Sequence, residues 1–157
     1  MSTDRTRQDI DDPRPRFDAI VAASSYMTIA TAGADGSPWA SPVWFASADG
    51  REFLWISKPG ARHSRNIAAR PEVAIAIFDS RQPPGTGAGV YVAADAAPVP
   101  DTELDDAVAT FSRISQEGGA GAFARSDVEG EAPHRMYRAV ARERYVLSSR
   151  DERLAVT

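Results

Sequence analysis

WISKPGARHSRNIAARP, residues 55–71, is the stretch of this chain that says most about its fold and its chemistry. An apolar strand end leads into a Pro-Gly break at residues 59–60, and the helical spacing that follows stops at Pro71. No acidic residue occurs between Glu52 and Glu72, although the whole chain carries 22 acidic residues against 18 lysines and arginines. The basic residues in this gap are Lys58 (the only lysine), Arg62, His63, Arg65 and Arg70.

A strand that turns into a helix collects cations and free backbone N–H groups at one point, which is how proteins hold a phosphate. The stretch therefore predicts an anion site at the helix start, with Arg62 and His63 in the first helical turn and Lys58 within reach. The alternative is a solvated helix face, since runs of charge are commonly just that. The complete absence of acids favours a ligand.

Composition bounds the class of protein. With 157 residues, of which 43% are hydrophobic and 25% charged, we predict one domain over residues 13–157, preceded by a mobile polar tail over residues 1–12. The net charge of −4 and the pI near 5.2 argue against partners such as nucleic acids or acidic membranes.

Other classes are excluded by what the sequence lacks. It has no cysteine, hence no disulfide or thiolate site, and its two histidines are too far apart in sequence to suggest a metal site. No apolar run approaches the ~20 residues that span a bilayer. The polar N-terminus is unlike a signal peptide, so we expect a cytoplasmic protein.

Alternating apolar residues and tight turns predict a mostly β fold. The predicted strands cover residues 26–32, 39–46, 52–57, 72–79 and 89–99, with a closing hairpin of 136–140 and 144–147. Three helices are predicted. The first begins at Pro13 or Pro15 and has Phe17, Ile20 and Val21 on one side, and the second covers residues 61–70. The third follows a cap at Asp101 or Thr102 and has Leu104, Val108 and Phe111 on one face. Pro42 indicates an edge strand or a β-bulge. Short connections favour an antiparallel sheet that forms a closed or partly closed barrel.

Aromatic residues cluster on the two strands before the basic turn. They are Trp39, Trp44, Phe45, Phe53 and Trp55. Core packing explains most of them, while one or two could line a flat apolar slot. An aromatic slot beside a phosphate grip is what flavin mononucleotide (FMN) requires.

At these residues the chain resembles the pyridoxamine 5′-phosphate oxidase-like, flavin-binding split-barrel superfamily. The resemblance rests on YMTIATAGADGSPWASPVWF (26–45), WISKPGARHSRNI (55–67) and ARPEVAIAI (69–77), and RMYRAVARERYVL (135–147) is similar to the closing strands of that superfamily. It implies a six-stranded antiparallel split β-barrel that works as a homodimer. FMN would lie in the groove between the two subunits, where a small-molecule substrate would reach it.

The resemblance also implies ten cofactor-binding positions. They are Val43, Trp44, Phe45, Trp55, Ile56, Ser57, Lys58, Arg62, His63 and Asn66. Trp55 to Ser57 would border the isoalloxazine and ribityl chain, and Val43 to Phe45 the ring edge. Arg62 and His63 match the Arg-Lys phosphate pair of the family, and Asn66 matches a polar helix position that contacts the cofactor. No general base is evident, so no catalytic residue is predicted.

Two departures from the family pattern shape the expected activity. His63 stands where the family usually has Lys, and HRMYR (134–138) does not reproduce the Arg-x-His element that grips pyridoxal phosphate in the true oxidases. We therefore expect an FMN-dependent oxidoreductase that passes hydride through flavin N5, rather than vitamin B6 oxidation. A reductase using the deazaflavin coenzyme F-420 and a non-enzymatic flavin- or haem-binding module remain open alternatives.

Overall fold

The computed structural model describes residues 12–157, so the predicted mobile tail falls outside it except for Asp12. Asp12 caps the first helix by accepting a hydrogen bond from the backbone N–H of Arg14 at 2.9 Å. The helices and strands are α1 (Pro13–Ala22), β1 (Tyr26–Ala32), β2 (Pro38–Trp44), β3 (Glu52–Ser57), α2 (Arg62–Ala69), β4 (Glu72–Phe78), β5 (Gly89–Pro98), α3 (Leu104–Glu117), β6 (Arg135–Leu147) and β7 (Arg153–Ala155).

All seven strands belong to one antiparallel sheet with the order β2-β1-β4-β5-β6-β3, and the short β7 pairs with β6. The two ends of this order, β2 and β3, approach each other through one isolated bridge between Ala46 and Leu54. Within residues 12–157 no ladder joins them, so the barrel stays split. The predicted mostly β, antiparallel split-barrel architecture is confirmed.

The strand periodicity divides the sheet into two faces. Alternate residues of β1, β4 and β5 point inward and form the main core together with α1 and the ends of β2, β3 and β6. Its largest fully buried members are Phe17, Met27, Ile29, Phe53, Trp55, Ile77, Val90 and Val146. A second core lies under α3, where Leu104, Val108 and Phe111 pack as their spacing predicts.

β2 is an edge strand, as Pro42 predicts. Pro42 pairs with Thr28 of β1. Proline has no N–H to donate to a second neighbour, and an edge strand does not need one.

The predicted closing hairpin is wrong. Residues 135–147 form one strand of 13 residues, which pairs with both β3 and β5. The register against β5 shifts between Ala93 and Ala94, leaving Arg142 as an extra residue. A β-bulge inserts one residue and interrupts the alternation without reversing the chain, which explains why the sequence pattern resembled a turn.

The predicted cap of α3 is also wrong. Asp101–Glu103 form a short 3₁₀ turn, and α3 begins at Leu104 without a capping side chain. Asp105 and Asp106 lie in its first turn, where their charge complements the helix dipole.

Candidate functional site

The basic turn is residues 58–61, which connect the end of β3 to the start of α2. The N–H of Ala61 donates to the carbonyl of Lys58 at 3.0 Å and closes the turn. Ala61 is the N-cap of α2 with extended backbone (φ −64°, ψ 148°) and contributes no capping side chain. The first N–H groups of α2 therefore have no side-chain partner at the cap.

The cations around the basic turn have no acidic partner in the described part of the chain. Lys58, Arg62 and Arg65, together with Arg70 at the far end of α2, form no ion pair with any residue of 12–157. Six arginines elsewhere do pair with carboxylates: Arg14, Arg81, Arg113, Arg125, Arg138 and Arg142. The stretch without acidic residues thus also lacks ion-pairing carboxylates in the folded structure, and it carries a local positive charge on an otherwise acidic protein.

An acid that is electrostatically coupled to this region is Asp35, in the β1–β2 turn. Hydrogen bonds from the side chain and backbone of Ser37 lower the pKa of Asp35, and the charge of Arg62 adds to this effect. The carboxylate of Asp35 is thus ionised and already accepts hydrogen bonds from Ser37 within the β1–β2 turn.

Ser57 and His63 form a direct hydrogen bond across the basic turn. Ser57 is the last residue of β3, and its Oγ lies 2.7 Å from Nε2 of His63 in the first turn of α2. His63 is half-buried, and this burial lowers the pKa of its imidazole below the ordinary value. The free protein therefore holds a neutral imidazole at neutral pH.

An open depression of about 750 Å³ lies against the basic turn. Its lining consists of Ile56, Ser57, Lys58, Pro59, Gly60, Ala61, Pro133 and His134. The second histidine comes here because β3 pairs with β6, in a register that places Ser57 opposite Arg135.

Arg135 holds the segment that carries His134. Its guanidinium donates to the carbonyls of Ala132 and His134, each at 2.6 Å, and to that of Gly130 at 2.9 Å. His134 is the site residue that sequence reasoning missed. No local signal could have revealed it, because its position depends on the pairing of two strands far apart in sequence.

Several residues predicted to line the flavin ring lie inside the main core of the single chain. Val43, Phe45 and Trp55 are buried, and Trp55 stacks on Tyr137 with 5.6 Å between ring centroids. Trp44 packs against Phe111 and Phe123 in the second core. Among the predicted set, the depression is lined by Ile56, Ser57 and Lys58.

Arg62 and Asn66 face other surroundings. The Arg62 guanidinium lies 4.3 Å from the ring centroid of Trp39, whose side chain is 41% exposed. This cation–π pair gives the basic turn an accessible aromatic surface. Asn66 is buried, and its Nδ2 donates to Oγ1 of Thr31 at 3.0 Å, which ties α2 to β1.

The outer face of the sheet carries a second notable surface. The pairing registers place one alanine from each of four adjacent strands side by side. We name these the alanine row: Ala40, Ala30, Ala74 and Ala93, of which the first three are exposed. A flat row of methyl groups is unusual for a solvated β-sheet face, where polar side chains normally alternate with the core.

Among residues 12–157, none of the helices combines the length and the apolar character needed to cross a bilayer.

The family profile described as pyridoxamine 5′-phosphate oxidase matches residues 14–147 of this chain. No curated protein sequence matches this chain.

Solved structures share the fold at low sequence identity. A haem binding protein from Mycobacterium smegmatis superimposes with a TM-score of 0.75 and 21% identity over 93% of this chain; this chain spans 58% of that protein's length. A FAD-binding protein from Mesorhizobium loti gives a TM-score of 0.61 at 21% identity, covering 84% of this chain and 91% of that one. A haem storage protein from Vibrio cholerae gives 0.63 at 18% identity, covering 83% and 90%.

Proposed function

The chain belongs to the pyridoxamine 5′-phosphate oxidase family, and on that premise we propose that it is a cytoplasmic FMN-dependent oxidoreductase acting on a small-molecule substrate. The observation that carries the proposal is the set of three cations at the basic turn and the start of α2, Lys58, Arg62 and Arg65, with no carboxylate partner in residues 12–157. Unpaired cations beside free N–H groups at a helix start suit a phosphate group.

The chemistry of the donor set fits FMN. Lys58 provides a point charge, Arg62 a planar guanidinium that can bind two phosphate oxygens, and Ser57 a hydroxyl. A buried polar atom in α2, Oγ of Ser64, has no hydrogen-bond partner in the described residues. Buried groups of that kind mark places where a ligand or water completes the network.

In this proposal the residues of the chain bind and orient the cofactor. Arg62, Lys58 and Ser57 would hold the phosphate, and Ser57 and Lys58 line the depression in which Ile56 provides an apolar contact. When bound, FMN supplies the redox chemistry, and the protein contributes position and electrostatics.

We further propose that the protein works as a homodimer with the cofactor between the subunits. Within one chain, Val43, Phe45 and Trp55 are closed inside the core, so a ring site needs further surface. The alanine row is the face that we propose for contact with the second subunit, because it presents no charged side chain that would have to be desolvated.

The test is a parallel titration of the purified protein with FMN, riboflavin and coenzyme F-420, followed by tryptophan fluorescence. We expect FMN to bind much more tightly than riboflavin, because riboflavin lacks the phosphate. Equal affinity for FMN and riboflavin would overturn the phosphate clasp, and tighter binding of F-420 would favour the deazaflavin reductase.

A haem-binding module is the second candidate, and His134 is the observation that favours it. A half-buried imidazole in an open depression is a possible axial ligand for haem iron. Two of the structures that share the fold are described as haem binding or haem storage proteins. A haem titration should then give a Soret band that His134→Ala shifts or abolishes, whereas an unchanged band in that variant excludes His134 as the ligand.

A further inference from the structure

The Ser57–His63 pair gives the proposed FMN site a titratable imidazole at a position where a lysine would carry a permanent positive charge. A lysine would present a permanent cation at this position, but the structure has an imidazole hydrogen-bonded to a hydroxyl at 2.7 Å. The two groups belong to different elements, β3 and α2, that meet at the basic turn. Their contact is therefore part of how the turn is built.

We propose that His63 is a proton-coupled ligand for a phosphate monoester, so that the dianion binds together with one proton taken up by the imidazole. This inference rests on the proposed function, since FMN provides the monoester. The proton comes from solvent and binds to Nε2 of His63, and no covalent bond between heavy atoms changes.

The geometry explains how one proton changes what the site can donate. When Nε2 of the neutral imidazole is unprotonated, it accepts the hydroxyl proton of Ser57, which is then not available to a ligand. When Nε2 is protonated it donates to Oγ instead, and the Ser57 hydroxyl can turn its own proton toward a phosphate oxygen. Starting from the tautomer that carries its proton on Nδ1, protonation thus reverses one hydrogen bond and adds both a charge and a donor.

The surroundings favour a neutral imidazole until an anion arrives. Burial lowers the pKa of His63 in the free protein. The cations near it on the turn and on α2 are Lys58, Arg62 and Arg65, and Arg135 lies opposite Ser57 at the start of β6. The imidazole of His134 lines the same depression as Ser57. Asp35, from the β1–β2 turn, has its pKa lowered in part by the charge of Arg62. A phosphate dianion brings two negative charges into this cationic group and so raises the affinity of His63 for a proton.

The sign of the pH dependence follows from linkage. Above about pH 7 the free imidazole is neutral and the monoester, whose second pKa is near 6, is a dianion. Binding must then take up a proton, so FMN affinity falls as pH rises, approaching tenfold per pH unit. Near pH 6 the ligand itself begins to carry that proton, and the slope flattens.

Isothermal titration calorimetry tests this directly. FMN is titrated into the full-length protein at pH 7.5 in two buffers with different ionisation enthalpies, and the difference in heat gives the number of protons taken up. We expect a value close to one for the native protein and close to zero for both His63→Lys and His63→Gln. His63→Lys should also bind FMN with an affinity that hardly changes between pH 6.5 and 8.5.

The outcomes separate this inference from the function on which it rests. FMN binding by the native protein without proton uptake, or full uptake in His63→Gln, overturns the inference and leaves the FMN site in place. Loss of uptake in His134→Gln, with full uptake in His63→Gln, assigns the proton to the other imidazole and also overturns it. Absence of FMN binding at every pH overturns the proposed function itself. The native pH series depends on no variant, so a native FMN affinity that does not fall as pH rises overturns the inference even if a substitution impairs folding.

Discussion

At the scale of single residues, the site consists of side chains with one structural role and side chains that are free to bind. Asn66 belongs to the first kind, since it is buried and donates to Thr31 across the α2–β1 contact. Arg62 belongs to the second, since it forms no ion pair within residues 12–157 and rests on the exposed ring of Trp39. The two residues therefore lead to different experiments.

Arg62→Ala should weaken FMN binding by about 1.5–3 kcal/mol, the usual strength of a hydrogen bond to a charged group. That range corresponds to roughly 10- to 150-fold in Kd. Tryptophan fluorescence titration measures it, with Arg113→Ala on α3 as the control because that arginine is exposed and pairs with Glu117. An affinity equal to the native value would favour the alternative in which Arg62 is part of a solvated helix face and binds no phosphate.

Asn66→Ala should destabilise the fold by about 1–3 kcal/mol, because it removes a buried hydrogen bond and leaves the Thr31 hydroxyl with one partner fewer. Urea unfolding of the cofactor-free protein measures the change. Combining it with Thr31→Val should cost less than the sum of the two single variants, because both remove the same interaction. Strict additivity would contradict the contact.

The residues also show what a sequence can reveal about a site. Lys58, Arg62 and His63 could be identified because a gap in acidic charge is visible along the chain. His134 could not, since only the β3–β6 register brings it to the turn. Val43, Phe45 and Trp55 are buried in the single chain, as the general expectation of core packing predicts, and their implied place beside a flavin ring stays a prediction.

At the scale of elements, the alternation and helical spacing of apolar residues predicted the bounds of strands and helices that depend on local sequence. The bounds of β1 and β3 agree with prediction, and α2 differs by one residue at each end, where helices commonly fray. The closing hairpin was mistaken because a bulge and a turn both interrupt alternation. Only the partner strand distinguishes them, and β5 pairs on both sides of the interruption at Arg142.

The bulge can be tested by deleting Arg142. Removing Arg142 would place Ala141 and Glu143 in consecutive positions opposite Ala94 and Ala93, a regular ladder that keeps Arg144 and Val146, both buried, on the inner face. We therefore expect the deletion variant to keep a cooperative thermal transition in circular dichroism. Arg142→Ala is the matched control, because it keeps the residue count and removes only a half-exposed ion pair with Asp95 at 3.3 Å. Loss of the cooperative transition in the deletion variant alone would contradict the register.

At the scale of the whole molecule, the question is what covers the alanine row. Ala30→Arg would place a charge at its centre, and we expect the proposed homodimer to dissociate into folded monomers, since Ala30 is exposed in the single chain. Light scattering after size-exclusion chromatography measures the mass. Ala109→Arg, on an exposed position of α3, is the control. A native protein that is already monomeric, or an Ala30→Arg variant that stays dimeric, would exclude this face as the interface.

The pairing of β3 with β6 has a consequence for the order of folding. Ser57 and Arg135 lie roughly 80 residues apart in the chain, whereas β1 and β2 pair through a short turn. Contacts between distant segments form late, because the entropy cost of closing a long loop precedes any stabilisation from those contacts. The depression beside the basic turn therefore takes shape near the end of folding, after the C-terminal strand has docked. In pulse-labelling hydrogen exchange, the β1–β2 amides should gain protection before those of β3, so that a chain still emerging from the ribosome would have the hairpin but no cofactor site.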